Sequence, residues 1–281
     1  MQNLIFKSPN FKIFIGFAAV LFYPSLLVAE EYKVSLDYKV YIGGIHTANI
    51  EYVSEINPKN YTVNLQLKTS KFVRLFLPAE ISLFSRGSVI AGRHVVTTGG
   101  TDSNWRGKKY KIRLKYSSLS AAPSVKVTGS LDEKPVSSVT EVMKVKTTEV
   151  TGAIQHFVNS VTSYETCDSN VRVYDGKRAF LASIKKGTEV NIRRTDYSIY
   201  QGTALKCHFS FKKLGGFRVD NDDDDKPTYD PIYVWFGKPF KHVLSVPVRV
   251  EFETPTGWLI AHLTRALMEN RRKNIPKVSA N

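Results

Sequence analysis

Alternation of apolar and polar residues recurs from Tyr32 almost to the end of this 281-residue chain, and it leaves little choice of fold class. Residues 32–41 alternate, Gly43-Gly44 interrupts them, and residues 45–53 resume the pattern. Alternation places successive side chains on opposite faces of an extended chain, so two such runs around a Gly-Gly pair read as a β-hairpin. Asn57-Pro58-Lys59-Asn60 makes the next turn, and 61–67 is a third strand with Val63, Leu65 and Leu67 on one face. Further strands are expected at 87–98, 110–116, 124–130, 231–236, 246–254 and 257–264. Residues 99–104 (Gly-Gly-Thr-Asp-Ser-Asn) and 121–123 (Ala-Ala-Pro) separate the middle ones, and Pro255-Thr256-Gly257 joins the last two. One stretch departs from this period. In 151–161, Ile154, Phe157, Val158 and Val161 fall on one side of a helix that Thr151 would cap. The fold expected is therefore all-β: about a dozen antiparallel strands in a single strongly curved sheet forming an open or spiral barrel, with one short helix near 152–162 that plugs an end or covers a sheet edge.

Residues 72–77, Phe-Val-Arg-Leu-Phe-Leu, are apolar without clean alternation, and Pro78 prevents their continuing as an inner strand or an unbroken helix. They read as a short helix or bent strand across the mouth of the sheet. Phe72, Phe76, Ile81 and Phe84 are expected either to join the core or to line a pocket for an apolar ligand.

The first 29 residues are set apart from the fold. Lys7 and Lys12 precede an apolar run at 13–22, Tyr23-Pro24 break it, and Ala29 offers a small residue before Glu30. This is the order of a secretory signal, and the run is shorter than the ~20 residues of a spanning helix. Cleavage after Ala29 leaves a chain of 252 residues with formal charge +13, against +15 for the whole. The expected organisation is signal peptide 1–29, an exported β-barrel-like domain 30–268 without a transmembrane segment, and a disordered basic tail 269–281. The positive charge favours anionic surfaces. Outside the cytoplasm nucleic acid is not the partner, which leaves an anionic lipid, a glycan or a peptide of the envelope.

The segment 166–217 holds both cysteines, Cys167 and Cys207. In an oxidising compartment two cysteines in such a chain read as a structural disulfide, and closing about 40 residues is worth roughly 4 kcal/mol in the chain-entropy model. A redox-exchange site would suggest Cys-x-x-Cys, which does not occur. The same segment carries Tyr174-Asp175-Gly176-Lys177-Arg178, then Tyr200, Gly202 and Cys207 in a Tyr-x-Gly-x-Ala-x-x-Cys frame, then Gly215-Gly216-Phe217. In this order the motifs resemble the exported Gram-negative proteins catalogued as domain of unknown function 3108, with a weaker likeness from about Tyr32 to Arg265. The resemblance implies a periplasmic β protein with a paired cysteine. It implies no activity, since that family supplies no catalytic residues.

No serine-nucleophile elbow, zinc-protease motif, phosphate loop or dinucleotide fingerprint is present. Ser183–Lys186 and Ser210–Lys213 match Ser-x-x-Lys, but in strand or turn sequence, where the helix that motif needs is lacking. The histidines at 46, 94, 156, 208, 242 and 262 show no metal-ligand spacing, and no cofactor or metal is expected. Asp220, Asp222 and Asp224 alternate as in a calcium loop, without its glycine and distal glutamate. Asp175 reads as a turn aspartate rather than a catalytic carboxylate. Lys111, Arg113 and Lys115 share one strand face, a candidate surface for an anionic ligand. Two functions remain: a non-enzymatic envelope protein that binds a lipid, glycan or peptide, and a hydrolase of an envelope polymer. An accessible apolar cavity favours the first; a carboxylate pair or an Asp–His contact in a cleft favours the second.

Overall fold

The structure, a computed structural model, describes residues 31–91, 93–118, 120–129, 137–218, 232–241, 243–270 and 278–279. The expected signal peptide, the acidic run at 220–225, His242 and residues 271–277 of the expected tail lie outside them. Seven strands come first: β1 (Tyr32–Ile42), β2 (Ile45–Ile56), β3 (Asn60–Thr69), β4 (Ala79–Ile90), β5 (Arg93–Trp105), β6 (Lys108–Lys115) and β7 (Ser124–Gly129). Helices α1 (Glu141–Lys144) and α2 (Val150–Tyr164) follow, then β8 (Ser169–Tyr174), β9 (Ala179–Ile192), β10 (Gly202–Gly215), β11 (Ile232–Gly237), β12 (Val246–Thr254) and β13 (Gly257–Asn270), with β14 (Val278–Ser279) paired to β13. The main strands form one antiparallel sheet in the order β7-β6-β5-β4-β3-β2-β1-β13-β12-β11-β10-β9-β8.

This sheet curls without closing. Its terminal strands are β7 and β8, and these two ends meet through side chains with no ladder between them among the described residues. Val96, Ile112 and Leu114 of β5 and β6, with Tyr116, pack on Tyr174 and Ala179 of β8 and β9. The outer edge of β8 is met by the segment before α2, where Thr148 N–H donates to Arg172 O and Tyr174 N–H to Thr148 O. The expected spiral barrel is thus observed.

A wall of thirteen strands encloses a lumen wider than side chains alone can fill, and α2 occupies part of it. Phe157, Val158 and Val161 are buried there against Leu36, Val63 and Leu263. The helix is about 22 Å long, whereas strands of 10–14 residues run roughly 33–46 Å, so α2 cannot fill the lumen from end to end. One end is sealed by Phe240 and Leu244, between β11 and β12, which are 1% and 7% exposed. At the other end lie the turns joining β1–β2, β3–β4, β5–β6 and β12–β13, here called the rim. Near the rim the inward-facing Leu67, Ile81, Leu83, Val250 and Leu259 are only half-buried.

Several expectations require correction. Residues 87–98 are not one strand, because β4 ends at Ile90 and β5 begins at Arg93. Gly99 and Gly100 are not turn residues but lie inside β5. There a Cβ on Gly99 would sit 2.2 Å from Glu149 Cγ, and one on Gly100 would sit 2.2 Å from Ile112 O, so glycine is required by close approach. β13 does not stop at residue 264. A bulge opposite Asp37/Tyr38 shifts the inward face from Leu263 to Ala266, and the strand runs on through Glu269 and Asn270. The cap of α2 is Glu149, not Thr151: its carboxylate accepts from Thr151 N–H and Gly152 N–H at 2.7 Å each. Finally, the 72–77 segment is neither core nor pocket lining. It forms a short 3-10 turn (Val73–Leu75) that leaves Phe72, Leu75 and Phe76 63%, 77% and 72% exposed.

Candidate functional site

The space that α2 leaves unfilled is a cavity of about 330 Å³ beside the N-terminal half of the helix. Leu36, Ile50, Phe157, Phe209 and Val250 are among the residues that line it. Tyr38 and Tyr52 supply the polar side chains of this lining, and both hydroxyls are already engaged. Tyr38 Oη donates to Pro247 O at 2.8 Å, and Tyr52 Oη to Gln155 Oε1 at 2.7 Å. Burial pushes both phenols well above the usual tyrosine range. The chamber therefore offers an entering molecule hydrocarbon contact and no charge. Its size sits at the lower end of small-molecule sites, roughly 300–1,000 Å³, and half-buried Val250 and Ile50 lead from it toward the rim.

On the other side of α2 the interior is polar. The Glu149 carboxylate lies buried over Gly99, where desolvation raises its pKa while bonds from Ser85, Thr151 and the capped amides oppose that shift. Tyr61 bonds Ser85 at 3.0 Å and stacks on His94, and burial pushes its phenol up to about 12. Asn159 Nδ2 donates to His94 Nδ1 at 3.0 Å, which requires neutral imidazole, and burial lowers that pKa to about 4. Gln155, 2% exposed, accepts from Tyr52 and Ser54 and donates to Asn159. These groups satisfy one another, so the network fixes how α2 sits in the spiral.

The motif residues gather elsewhere. Asp175 Oδ1 accepts from Lys177 N–H and Arg178 N–H at 2.8 and 2.6 Å, and Oδ2 pairs with Arg178 Nε at 2.9 Å, which makes the β8–β9 turn. Gly216 lies against it with φ +82°, where a Cβ would sit 2.1 Å from Lys177 O. Phe217 lies under the Arg178 guanidinium, with Gly215 at the end of β10. Tyr174 is buried where the sheet ends meet, with Gly176 beside Ile112. Tyr200 and Gly202 sit at the sealed end, where Tyr200 Oη donates to Thr203 O at 2.5 Å and accepts from Lys238 N–H. These residues join elements of the spiral and do not line the cavity. The Cys167 and Cys207 sulfurs are 1.98 Å apart, linking the chain after α2 to β10. Lys111 and Lys115 are exposed on the outer face of β6, whereas Arg113 is engaged by Asp102 at 2.6 Å.

Neither Ser-x-x-Lys match is helical, since Ser183–Lys186 lies in β9 and Ser210–Lys213 in β10. Side chains three apart on a strand point to opposite faces. His46, His94 and His156 bond to Asn49, Asn159 and Ser169. Among the described residues no group of three metal-ligating side chains converges, and no helix is long and apolar enough to cross a membrane. The cavity escaped sequence reading because its lining comes from many elements, each an ordinary strand or helix face. The one available sign was length, since the strands carry inward apolar residues further than a 15-residue helix can cover.

No family model matches the chain, and no curated protein sequence matches it. Among solved structures, a beta-barrel-like protein of domain of unknown function DUF1849 from Brucella abortus is similar over 85% of this chain and 97% of its own, with 11% identity and a TM-score of 0.45.

Proposed function

We propose that this chain is a non-enzymatic binding protein of the periplasm that supports the cell envelope by holding the hydrocarbon portion of a lipid-like ligand inside its open spiral. The observation that carries this reading is the 330 Å³ cavity in which, among the described residues, the only polar side chains are tyrosines with bonded hydroxyls. A glycan would find no donors or acceptors there, and a charged peptide would lose hydration without recompense. An acyl chain gains ~0.8 kcal/mol for each methylene it buries, so six to eight buried methylenes give roughly 5–6 kcal/mol before the cost of association. The apolar run at the N-terminus, the Cys167–Cys207 link and the resemblance to the family catalogued as domain of unknown function 3108 support export to an oxidising compartment.

The buried carboxylate supports binding over turnover. Glu149 spends both oxygens on the helix cap and Thr151 and so has no free edge for a water or substrate. The test is mass spectrometry of organic extracts from protein purified out of the periplasm without detergent. A stoichiometric acyl-containing molecule is expected. Protein that emerges empty and binds no acyl compound afterwards would overturn the proposal.

A further inference from the structure

We infer that the rim is a docking surface for an anionic lipid bilayer, which places the open end of the spiral against the membrane. In the sheet order the β5–β6, β3–β4, β1–β2 and β12–β13 turns are consecutive. They are also bonded one to the next. Arg106 N–H donates to Pro78 O, Ser70 N–H to Thr47 O, and Gly43 N–H to Trp258 O. Every one of these turns presents an exposed apolar side chain: Trp105 (45%), Phe72, Leu75 and Phe76 (63%, 77% and 72%), Ile45 (59%) and Trp258 (42%). A contiguous apolar set on protruding tips marks a place where the protein meets something other than water.

Charge selects the occupant. Lys71 and Arg74 are exposed within the most apolar tip, and Arg106 in the next; the exposed acid among these tips is Glu253. Aromatic and aliphatic residues interleaved with long basic side chains suit the boundary between acyl chains and phosphate headgroups. Rings and alkyl stems enter the hydrocarbon there while cations stay with the phosphates. Phe72 and Phe76 pack edge to face, centroids 5.8 Å apart, so the tip enters as one wedge. The half-buried apolar wall from Leu67 and Leu259 inward then continues from the bilayer to the cavity, and a chain passing between them stays out of water. The docking inference does not require the cavity to be occupied.

The test is co-sedimentation of the exported protein with vesicles of phosphatidylcholine alone and of phosphatidylcholine with equimolar phosphatidylglycerol. Binding to the anionic vesicles is expected, sharply reduced by salt in the wild type, at least tenfold weaker in Phe72→Ser/Leu75→Ser/Phe76→Ser, and weak with little salt dependence in Lys71→Glu/Arg74→Glu. Both variants should keep the wild-type melting temperature and acyl-probe affinity, because none of these side chains is buried or lines the cavity. A wild type that ignores anionic vesicles, or rim variants that bind them fully, would overturn the inference. So would wild-type self-association, in sedimentation velocity without lipid, that the rim variants abolish, because the rim would then cover a second copy. Loss of acyl-probe binding with vesicle binding intact would instead strike at the proposed ligand and leave docking standing.

Discussion

Cutting the link between Cys167 and Cys207 should destabilise the protein by about 4 kcal/mol. The two residues are 40 apart in sequence, and closing a loop of that length removes roughly 13 cal/mol/K of chain entropy from the unfolded state, about 4 kcal/mol at 25 °C. Both residues are 1% or less exposed among apolar neighbours, so alanine at either position leaves no unpaired polar group. For the Cys167→Ala/Cys207→Ala double variant, a urea slope of roughly 2.5 kcal/mol/M then gives a midpoint lower by about 1.6 M. The link fastens the chain just beyond α2 to β10. Its loss should therefore also raise amide exchange in the last helical turns, around Val161, before the strands loosen. A midpoint shift below about 0.4 M would refute the reasoning. Two titratable thiols in the denatured, unreduced wild type would refute its premise.

Three further outcomes follow from individual side chains. Burial lowers His94 from the ordinary 6.5 to about 4, so between those values the unfolded chain holds the extra proton and stability falls as pH falls. Unfolding free energies at pH 7 and 4.5 should diverge in wild type by about 2 kcal/mol more than in His94→Gln, and parallel profiles would refute this. Asp175→Ala deletes an acceptor of two amides and an ion pair. It should cost about 1–3 kcal/mol, measured by thermal unfolding, with acyl-probe binding by the folded fraction unchanged. If stability held while binding vanished, the turn aspartate would have a chemical role. Glu149→Ala should loosen α2 by about 1–2 kcal/mol in urea unfolding, as for other lost N-caps; an unaltered midpoint would contradict the capping role.

The strands were legible because alternation is a direct image of the pleat, and the hairpin at Gly43-Gly44 and strand β12 fall where the pattern puts them. The helix was legible from Phe157, Val158 and Val161. What failed were inferences from single residues whose partners are remote. Gly99-Gly100 looked like punctuation, yet Glu149 and Ile112, 50 and 12 residues away, demand glycine inside a strand. Phe72 and Phe76 were assigned to the interior by composition, and only the short turn after Ser70 reveals that they protrude. The bulge opposite Asp37/Tyr38 broke the alternation after Leu263 and hid the last six of the 14 residues of β13. The cavity depends on the mismatch between helix and strand lengths, and no local window of sequence contains it.

The central claim is that the open half of the spiral holds a hydrocarbon chain, and the most direct measurement is displacement of a fluorescent long-chain acyl probe. Ala182 is 2% exposed on β9 and lines the cavity, whereas Val127 is 41% exposed on the edge strand β7. Titrations of wild type, Ala182→Phe and the control Val127→Phe should give saturable one-to-one binding in the first and third. Affinity should fall at least tenfold in the second, with its melting temperature equal to or above wild type because the added ring fills empty space. Wild-type binding that Ala182→Phe leaves intact, or no saturable binding at all, would contradict the account.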